Sequence, residues 1–116
     1  LDPIVVKALI GSESSFDPDP PPVTSGAAGL MQLLEKTRRI LGDPKGELKD
    51  HLTIIRKEEI FHPVVNICGG IRWLFRKRDT ASSRLKRNAT WEEAVAHYKS
   101  YLSEYRKNPD PRHENI

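Results

Sequence analysis

The chain has 116 residues and a formal net charge of +3, from 19 basic and 16 acidic side chains. Its length fits a single domain, and a charged fraction of 30% excludes a chain that lives within lipid. A single cysteine, Cys68, excludes an internal disulfide framework and a cysteine-rich zinc site. The chain begins with Leu1 instead of Met, so we expect it to be cut out of a longer protein, and its lack of a signal segment then says nothing about export.

Helical spacing of apolar residues recurs along the chain, and no strand-like alternation of useful length is present. We therefore predict an all-α fold. The spacing predicts helices over residues 3–16, 28–41 and 63–77, and a last helix over 91–105. The last helix begins at Thr90, which forms a capping-box pattern with Glu93.

The remaining segments give weaker or different signals. Four prolines between residues 17 and 26 predict a stiff loop after the first helix. Residues 45–60 show only a weak helical pattern, through Leu48, Leu52 and Ile55. Residues 106–116 are polar and are expected to form a C-terminal tail.

Glu13 is the residue with the clearest chemical meaning. Val5, Leu9 and Glu13 recur at four-residue intervals, so the period that turns the first two toward the core also points the carboxylate inward, next to Phe16. Burial among apolar groups raises the pKa of a carboxyl group and makes it a proton donor near neutral pH. The alternative is that Glu13 lies at a fraying helix end and turns to solvent.

Two motifs lie at and just after Glu13. Residues 13–18 are Glu-Ser-Ser-Phe-Asp-Pro, and residues 26–32 are Gly-Ala-Ala-Gly-Leu-Met-Gln. In this order and spacing they resemble the catalytic domain of the soluble lytic transglycosylase family, which is related to goose-type lysozymes. Residues 66–74 are similar to the family's Asn-Ile-x-x-Gly-x-x-x-Leu helix, and residues 94–99 to its Ala-Ala-Tyr-Asn segment. The resemblance implies that residues 1–105 form a catalytic domain with a lysozyme-like helical fold and a substrate cleft.

The resemblance implies cleavage of the β-1,4 bond between N-acetylmuramic acid and N-acetylglucosamine in peptidoglycan. Glu13 matches the family's catalytic glutamate, which protonates the glycosidic oxygen and then acts as base on the muramic acid C6 hydroxyl, giving a 1,6-anhydro product. No obvious second carboxylate is present, because Asp17 is expected to fix the turn before Pro18. The substrate's own acetamido group would then stabilise the reacting centre. The alternatives are hydrolysis of the same bond, as in the lysozyme relatives, and a catalytically weak peptidoglycan-binding module.

The resemblance also implies substrate-binding residues in the second motif and before it. Met31 and Gln32 lie off the apolar stripe of the predicted helix and are expected to face a groove, where the family's Met and Gln line the sugar subsites. The family usually has serine where this chain has Val23. Thr24 or Ser25 would have to supply that hydroxyl, and we place Ser25 among the substrate-binding residues.

Two further predictions concern the later motifs. Tyr98 matches the family's tyrosine, whose phenol is expected to hydrogen-bond near the glutamate and orient it, although a core position explains the same residue. Asn66 is expected to cap or tie a loop through side-chain hydrogen bonds. The chain departs from the family at Lys99, which replaces asparagine, and at Tyr101, which replaces glycine. Lys99 would meet an anionic group on peptidoglycan.

Other classes of protein are weaker hypotheses. Basic stretches at residues 76–78 and 84–87 suit nucleic acid, but interleaved Asp79 and the modest net charge favour an ordinary solvated face. The four histidines lack metal-ligand spacing, and no apolar run is long enough to cross a bilayer. We therefore expect no metal, cofactor, nucleic acid or membrane span. We expect a monomer that binds peptidoglycan glycan strands in the cell envelope, periplasmic or extracellular.

Overall fold

A computed structural model describes residues 1–100 and 102–107 of the chain. They form five α-helices and one 3₁₀ helix: α1 (Pro3–Ser14), α2 (Glu35–Gly42), the 3₁₀ helix Lys57–Glu59, α3 (Pro63–Leu85), α4 (Trp91–Tyr98) and α5 (Leu102–Lys107). An isolated β-bridge is the only strand-like pairing within these described ranges, so the predicted all-α fold is confirmed. Tyr101 and residues 108–116, which hold most of the predicted tail, lie outside the described residues.

Helix α1 begins as its sequence predicts and ends two residues early. The Asp2 carboxylate accepts a hydrogen bond from the Ile4 N–H at 2.9 Å, which satisfies one of the unpaired donors of the first turn. Ser15 and Phe16 adopt φ angles of 53° and 64°, which are left-handed and cannot continue the helix. The chain therefore turns away immediately after α1, before the prolines of the loop.

The predicted start of the second helix at residue 28 is wrong, because α2 begins only at Glu35. Ala28 and Leu33 instead exchange two backbone hydrogen bonds, of 3.0 and 2.9 Å, and close a tight turn over residues 28–33. Gly29 and Gln32 have φ angles of 78° and 52°, which exclude a right-handed helix there. We call this segment the 28–33 turn.

The predicted last helix is divided into two. Its capping box is confirmed, since Thr90 Oγ1 accepts from the Glu93 N–H at 3.1 Å and Glu93 Oε1 accepts from the Thr90 N–H at 2.9 Å. Helix α4 then stops at Tyr98, because Ser100 has a φ angle of 68°. The chain resumes as α5 from Leu102, so a single helix over 91–105 is wrong.

Helix α3 is the longest element and runs to Leu85, beyond its predicted end. It packs against both α2 and α4 and contributes to three clusters of buried side chains, of which the two larger ones position the 28–33 turn and α2. One cluster is Leu9, Ile10, Leu30, Met31, Leu74, Ala94 and Val95, and the other is Leu33, Leu41, Leu48 and Ile55. A Cβ on Gly70 would overlap the Met31 sulfur, so the glycine lets the 28–33 turn approach α3 closely.

Residues 45–60 do not form the α-helix that their weak pattern suggested. They contain turns, a stretch without regular structure over residues 52–56, and the 3₁₀ helix Lys57–Glu59. Leu48 and Ile55 are buried, but Leu52 is exposed, as one helical face would not allow. Irregular backbone therefore covers the α2 side of α3.

Candidate active site

Glu13 lies in the last turn of α1, and its side chain is 18% exposed. The carboxylate therefore turns inward, as the helical period predicts, rather than out to solvent. Phe16 is not the apolar neighbour that we expected: it is 55% exposed, and its ring lies against Gly11. The left-handed backbone after α1 is the reason, because it takes Phe16 off the helical stripe.

The carboxylate faces an open cavity of about 390 Å³, which we call the Glu13 cleft. Three segments that are distant in sequence form it: the end of α1, residues 23–34, and the end of α4. Its lining residues are Glu13, Val23, Ser25, Ala27, Gln32, Leu34, Tyr98, Lys99 and Ser100. Among these, Glu13 carries the only carboxylate and Lys99 the only cationic group. Three of the other predicted site residues, Ser25, Gln32 and Tyr98, therefore meet Glu13 in one cleft.

Lys99 is the direct partner of Glu13. The Lys99 Nζ donates a hydrogen bond to Glu13 Oε1 at 3.0 Å and another to the Ser12 hydroxyl. Both side chains of the ion pair are 18% exposed, so solvent screens it only in part. Our expectation of a purely apolar surrounding for Glu13 is wrong on this point. The sequence contained one signal for this pair, because a lysine replaces the motif's asparagine. It did not indicate that Glu13 is the partner of that lysine.

Tyr98 supports the floor of the cleft. Its hydroxyl donates to the Met31 carbonyl oxygen at 2.6 Å. Burial raises the pKa of Tyr98 well above its usual range, and the negative charge of Glu13 adds to the effect. The phenol is therefore a neutral donor that ties α4 to the 28–33 turn. The hydrogen bond that we expected Tyr98 to make near the glutamate goes to this backbone carbonyl.

The predicted substrate-binding residues of the loop differ in orientation. Gln32 lines the cleft, and its Nε2 donates to the Gly29 carbonyl oxygen at 3.0 Å. Ser25 also lines the cleft, and its Oγ accepts from the Ala27 N–H at 3.3 Å. Met31 does not face the groove: its side chain is fully buried in the core. The helical spacing misplaced Met31, because the 28–33 turn directs it toward α3.

Asn66 holds the turn from the other side, and its predicted role of tying a loop is confirmed. Its side chain is fully buried; Oδ1 accepts from the Met31 N–H at 2.8 Å. Its Nδ2 donates to the carbonyl oxygens of Ala28 and Ile60, at 3.0 and 2.7 Å. The main chain of Met31 is thus bound by α3 through its N–H and by α4 through its carbonyl.

Asp17 is also structural, as predicted. Its Oδ1 accepts from the Asp19 N–H at 3.0 Å, and it is exposed on the loop after α1. It does not line the Glu13 cleft. The loop therefore uses Asp17 as a turn residue.

A larger cavity, of about 560 Å³, lies elsewhere on α3. Its lining residues include His51, Cys68, Arg72 and Phe75, and none of the site residues predicted from the sequence. Size alone therefore does not identify the site. The cleft with the inward carboxylate and convergent polar groups is the better candidate.

Comparison with family models agrees with this geometry. The model of the transglycosylase SLT domain matches residues 1–111, nearly the whole chain. The chain belongs to this family. Comparison with curated proteins and with solved structures gave no significant match.

For an SLT domain, the coarse function follows from the family. Its action is of the transglycosylase type, its substrate is peptidoglycan, and it works at the cell wall, outside the cytoplasm. The lysozyme-like fold that the motifs implied is confirmed. Within residues 1–100 and 102–107, no helix is long and apolar enough to cross a membrane.

Proposed function

We propose that this SLT domain is a lytic transglycosylase that cleaves the β-1,4 bond between N-acetylmuramic acid and N-acetylglucosamine and leaves a 1,6-anhydromuramic acid end. One observation carries the proposal. Glu13 provides the only carboxylate among the described residues that line the cleft, and it is largely buried there. A cleft with one carboxylate suits a reaction in which one group serves as acid and then as base.

Two proton transfers at Glu13 account for the reaction. The protonated carboxyl group first gives its proton to the glycosidic oxygen as the bond to the muramic acid C1 breaks. The carboxylate then takes the proton of the C6 hydroxyl as O6 bonds to C1, which restores the acid and closes the anhydro ring. The acetamido group of the substrate stabilises the positive charge at C1, where a second carboxylate would act in other glycosidases.

The polar groups around Glu13 suit a sugar. Gln32 offers an amide carbonyl and N–H groups to hydroxyl and acetamido groups, and Ser25 offers a hydroxyl. We propose both as substrate contacts, with Tyr98 supporting the floor. Met31 would contribute through its held backbone and not through its buried side chain.

Mass spectrometry of muropeptides released from purified sacculi tests the proposal. Anhydro ends, lighter than hydrolytic ends by one water, are the expected product. Glu13→Gln should lower the rate by about 100-fold or more, since general acid and base catalysis contributes that much. Glu92→Gln, which changes an exposed glutamate on α4, is the matched control and should keep the wild-type rate.

The other outcomes identify the alternatives. Reducing ends would indicate a muramidase that uses water at the same glutamate. No release, together with binding to sacculi, would indicate a binding module. Undiminished release by Glu13→Gln would remove the proposed role of Glu13 under any of these functions.

The compartment and the assembly state are part of the same proposal. We propose a periplasmic or extracellular location, because the substrate is peptidoglycan. We also propose a monomer, because a glycan strand needs access to the open cleft. Sedimentation at several concentrations checks the monomer, and a mass that rises with concentration would contradict it.

A further inference from the structure

The Lys99 ammonium group is hydrogen-bonded to the carboxylate of Glu13, which must carry a proton in the first step of the proposed reaction. Lys99 is the residue that caps the C-terminal end of α4, and it reaches back to the end of α1. Its Nζ bonds both Ser12 Oγ and Glu13 Oε1. An ammonium donor pairs with an ionised carboxylate, whereas a general acid must carry the proton itself. The ion pair therefore suits the base step and opposes the acid step.

Something must draw Lys99 away before Glu13 can act as an acid. The cleft itself supplies no second anion, since Glu13 is the only carboxylate among its described lining residues. The lysine side chain is long and flexible, so its ammonium can move several ångströms without a backbone change. An anion that enters with the substrate is the simplest competitor for it.

Two further cationic side chains, Lys77 and Arg84, lie in the cavity next to Lys99. Ser100 lines both the Glu13 cleft and a neighbouring cavity of about 210 Å³, whose lining includes Lys77, Arg84 and His97. Lys77 and Arg84 line the same cavity as His97, and burial together with these two charges lowers the pKa of His97 and favours its neutral form, so the cationic groups of this cavity are Lys77 and Arg84. A cluster of one sign at a cleft raises the local concentration of ligands of the opposite sign.

We propose that Lys99 is a positioning residue that a carboxylate of the glycan strand draws away from Glu13, so that the site prefers carboxylate-bearing strands to neutral ones. This inference rests on the proposed function. The carboxylate has two possible sources, the lactyl group of a strand stripped of its peptides and the stem peptide of an intact strand. The shared chemistry is a carboxylate beside the scissile bond.

Rates on three glycan preparations test the inference. They are stripped strands with free lactyl carboxylates, the same strands with those carboxylates converted to amides, and strands that keep their stem peptides. Wild type should cleave at least one carboxylate-bearing preparation with a kcat/KM about tenfold or more above that of the amidated strands, as one charge-assisted hydrogen bond would give. The preparation that gains most identifies the source.

Substitutions at Lys99 separate this role from a structural one. Lys99→Gln should reduce the preference to about threefold or less, while Lys99→Arg, which keeps the charge, should retain most of it. Lys7→Gln removes an exposed lysine of α1 and is the matched control, expected to keep the wild-type preference. Circular dichroism and the melting temperature show whether each variant is folded.

A binding measurement keeps the test decisive if the chain proves inactive. Calorimetry with the same strands should show tighter binding of the carboxylate-bearing form by wild type, and Lys99→Gln should lose that difference. Absence of cleavage with this preference intact would overturn the proposed reaction and keep carboxylate recognition. Equal binding and equal rates on charged and amidated strands, unchanged in Lys99→Gln, would overturn the role of Lys99.

Discussion

Replacing Asn66 with alanine should destabilise the fold and loosen the Glu13 cleft at the same time. The buried amide makes three hydrogen bonds, one with the Met31 N–H and two with the carbonyl oxygens of Ala28 and Ile60. Alanine removes all three and leaves a small void between α3 and the 28–33 turn. The perturbation therefore acts on the segment that carries the floor of the cleft.

The magnitude follows from the fate of each partner. A typical hydrogen bond contributes about 1 kcal/mol net, and a buried polar group without a partner costs about 1–3 kcal/mol. The Ala28 carbonyl still accepts from the Leu33 N–H at 2.9 Å, whereas Met31 and Ile60 lose the bonds that Asn66 provides. We expect a loss of about 3–4 kcal/mol in the free energy of unfolding, or about 12–16 °C in Tm for a domain of this size.

Urea unfolding followed by circular dichroism measures the free energy, and thermal melting measures Tm. Asn88→Ala, which removes an exposed amide, is the control and should change the free energy by less than about 0.5 kcal/mol. Release of muropeptides, measured below the lowered Tm, should also fall. A loss below about 1 kcal/mol for Asn66→Ala would refute the view that this amide anchors the turn.

Three other predictions concern the core and the charged groups. The hydrogen bond with Arg87 is the main reason that the pKa of Glu93 is about 2 instead of 4.5. The ionised Glu93 therefore contributes fully to the free energy of unfolding above pH 4.5, and this contribution is lost as pH falls toward 2. Wild type and Glu93→Gln should therefore differ by about 1–2 kcal/mol in urea unfolding at pH 7, a value discounted because Arg87 is half exposed, and converge near pH 2; a constant difference would contradict this. Gly70→Ala should overlap the Met31 sulfur and cost about 1–3 kcal/mol, whereas an unchanged Tm would show that the core has room. Burial raises the pKa of Tyr98, so Tyr98→Phe should leave the ultraviolet tyrosine titration unchanged below about pH 11; a lost step in that range would place the phenol in solvent.

The starts of α1 and α4 were predictable because their signals are local. Asp2 before α1 and Thr90 before α4 bond to backbone groups within three residues, so the chain itself contains the whole cap. The inward direction of Glu13 was predictable for the same reason, since one helix sets the period. The first half of the candidate site followed from these local patterns and from the motif resemblance.

The 28–33 turn could not be predicted from the periodicity of apolar residues. Leu30 and Leu33 have the spacing of a helical face, yet they are buried from a tight turn. The deciding contacts come from Asn66, more than thirty residues away along the chain. Apolar spacing cannot distinguish a helix from this turn, because either structure would bury the same leucines.

The Lys99 ion pair was hidden by distance in sequence. Glu13 and Lys99 lie 86 positions apart, and only the return of α4 toward α1 brings their charges together. The break at Ser100 contributes as well, since α4 ends at Tyr98 and leaves Lys99 as its C-cap. The departure of Lys99 from the family motif indicated an unusual residue, but only the folded structure shows that Glu13 is its partner.

The two anchors on Met31 have an evolutionary consequence. Its amide and carbonyl are bound through main-chain atoms, which every amino acid except proline supplies in full. The thioether, by contrast, is constrained by its packing in the core cluster and by the space that the missing side chain at Gly70 leaves. Drift at these two positions should therefore be correlated, with a bulkier residue at one accompanied by a smaller residue at the other, while the backbone of the 28–33 turn keeps its path.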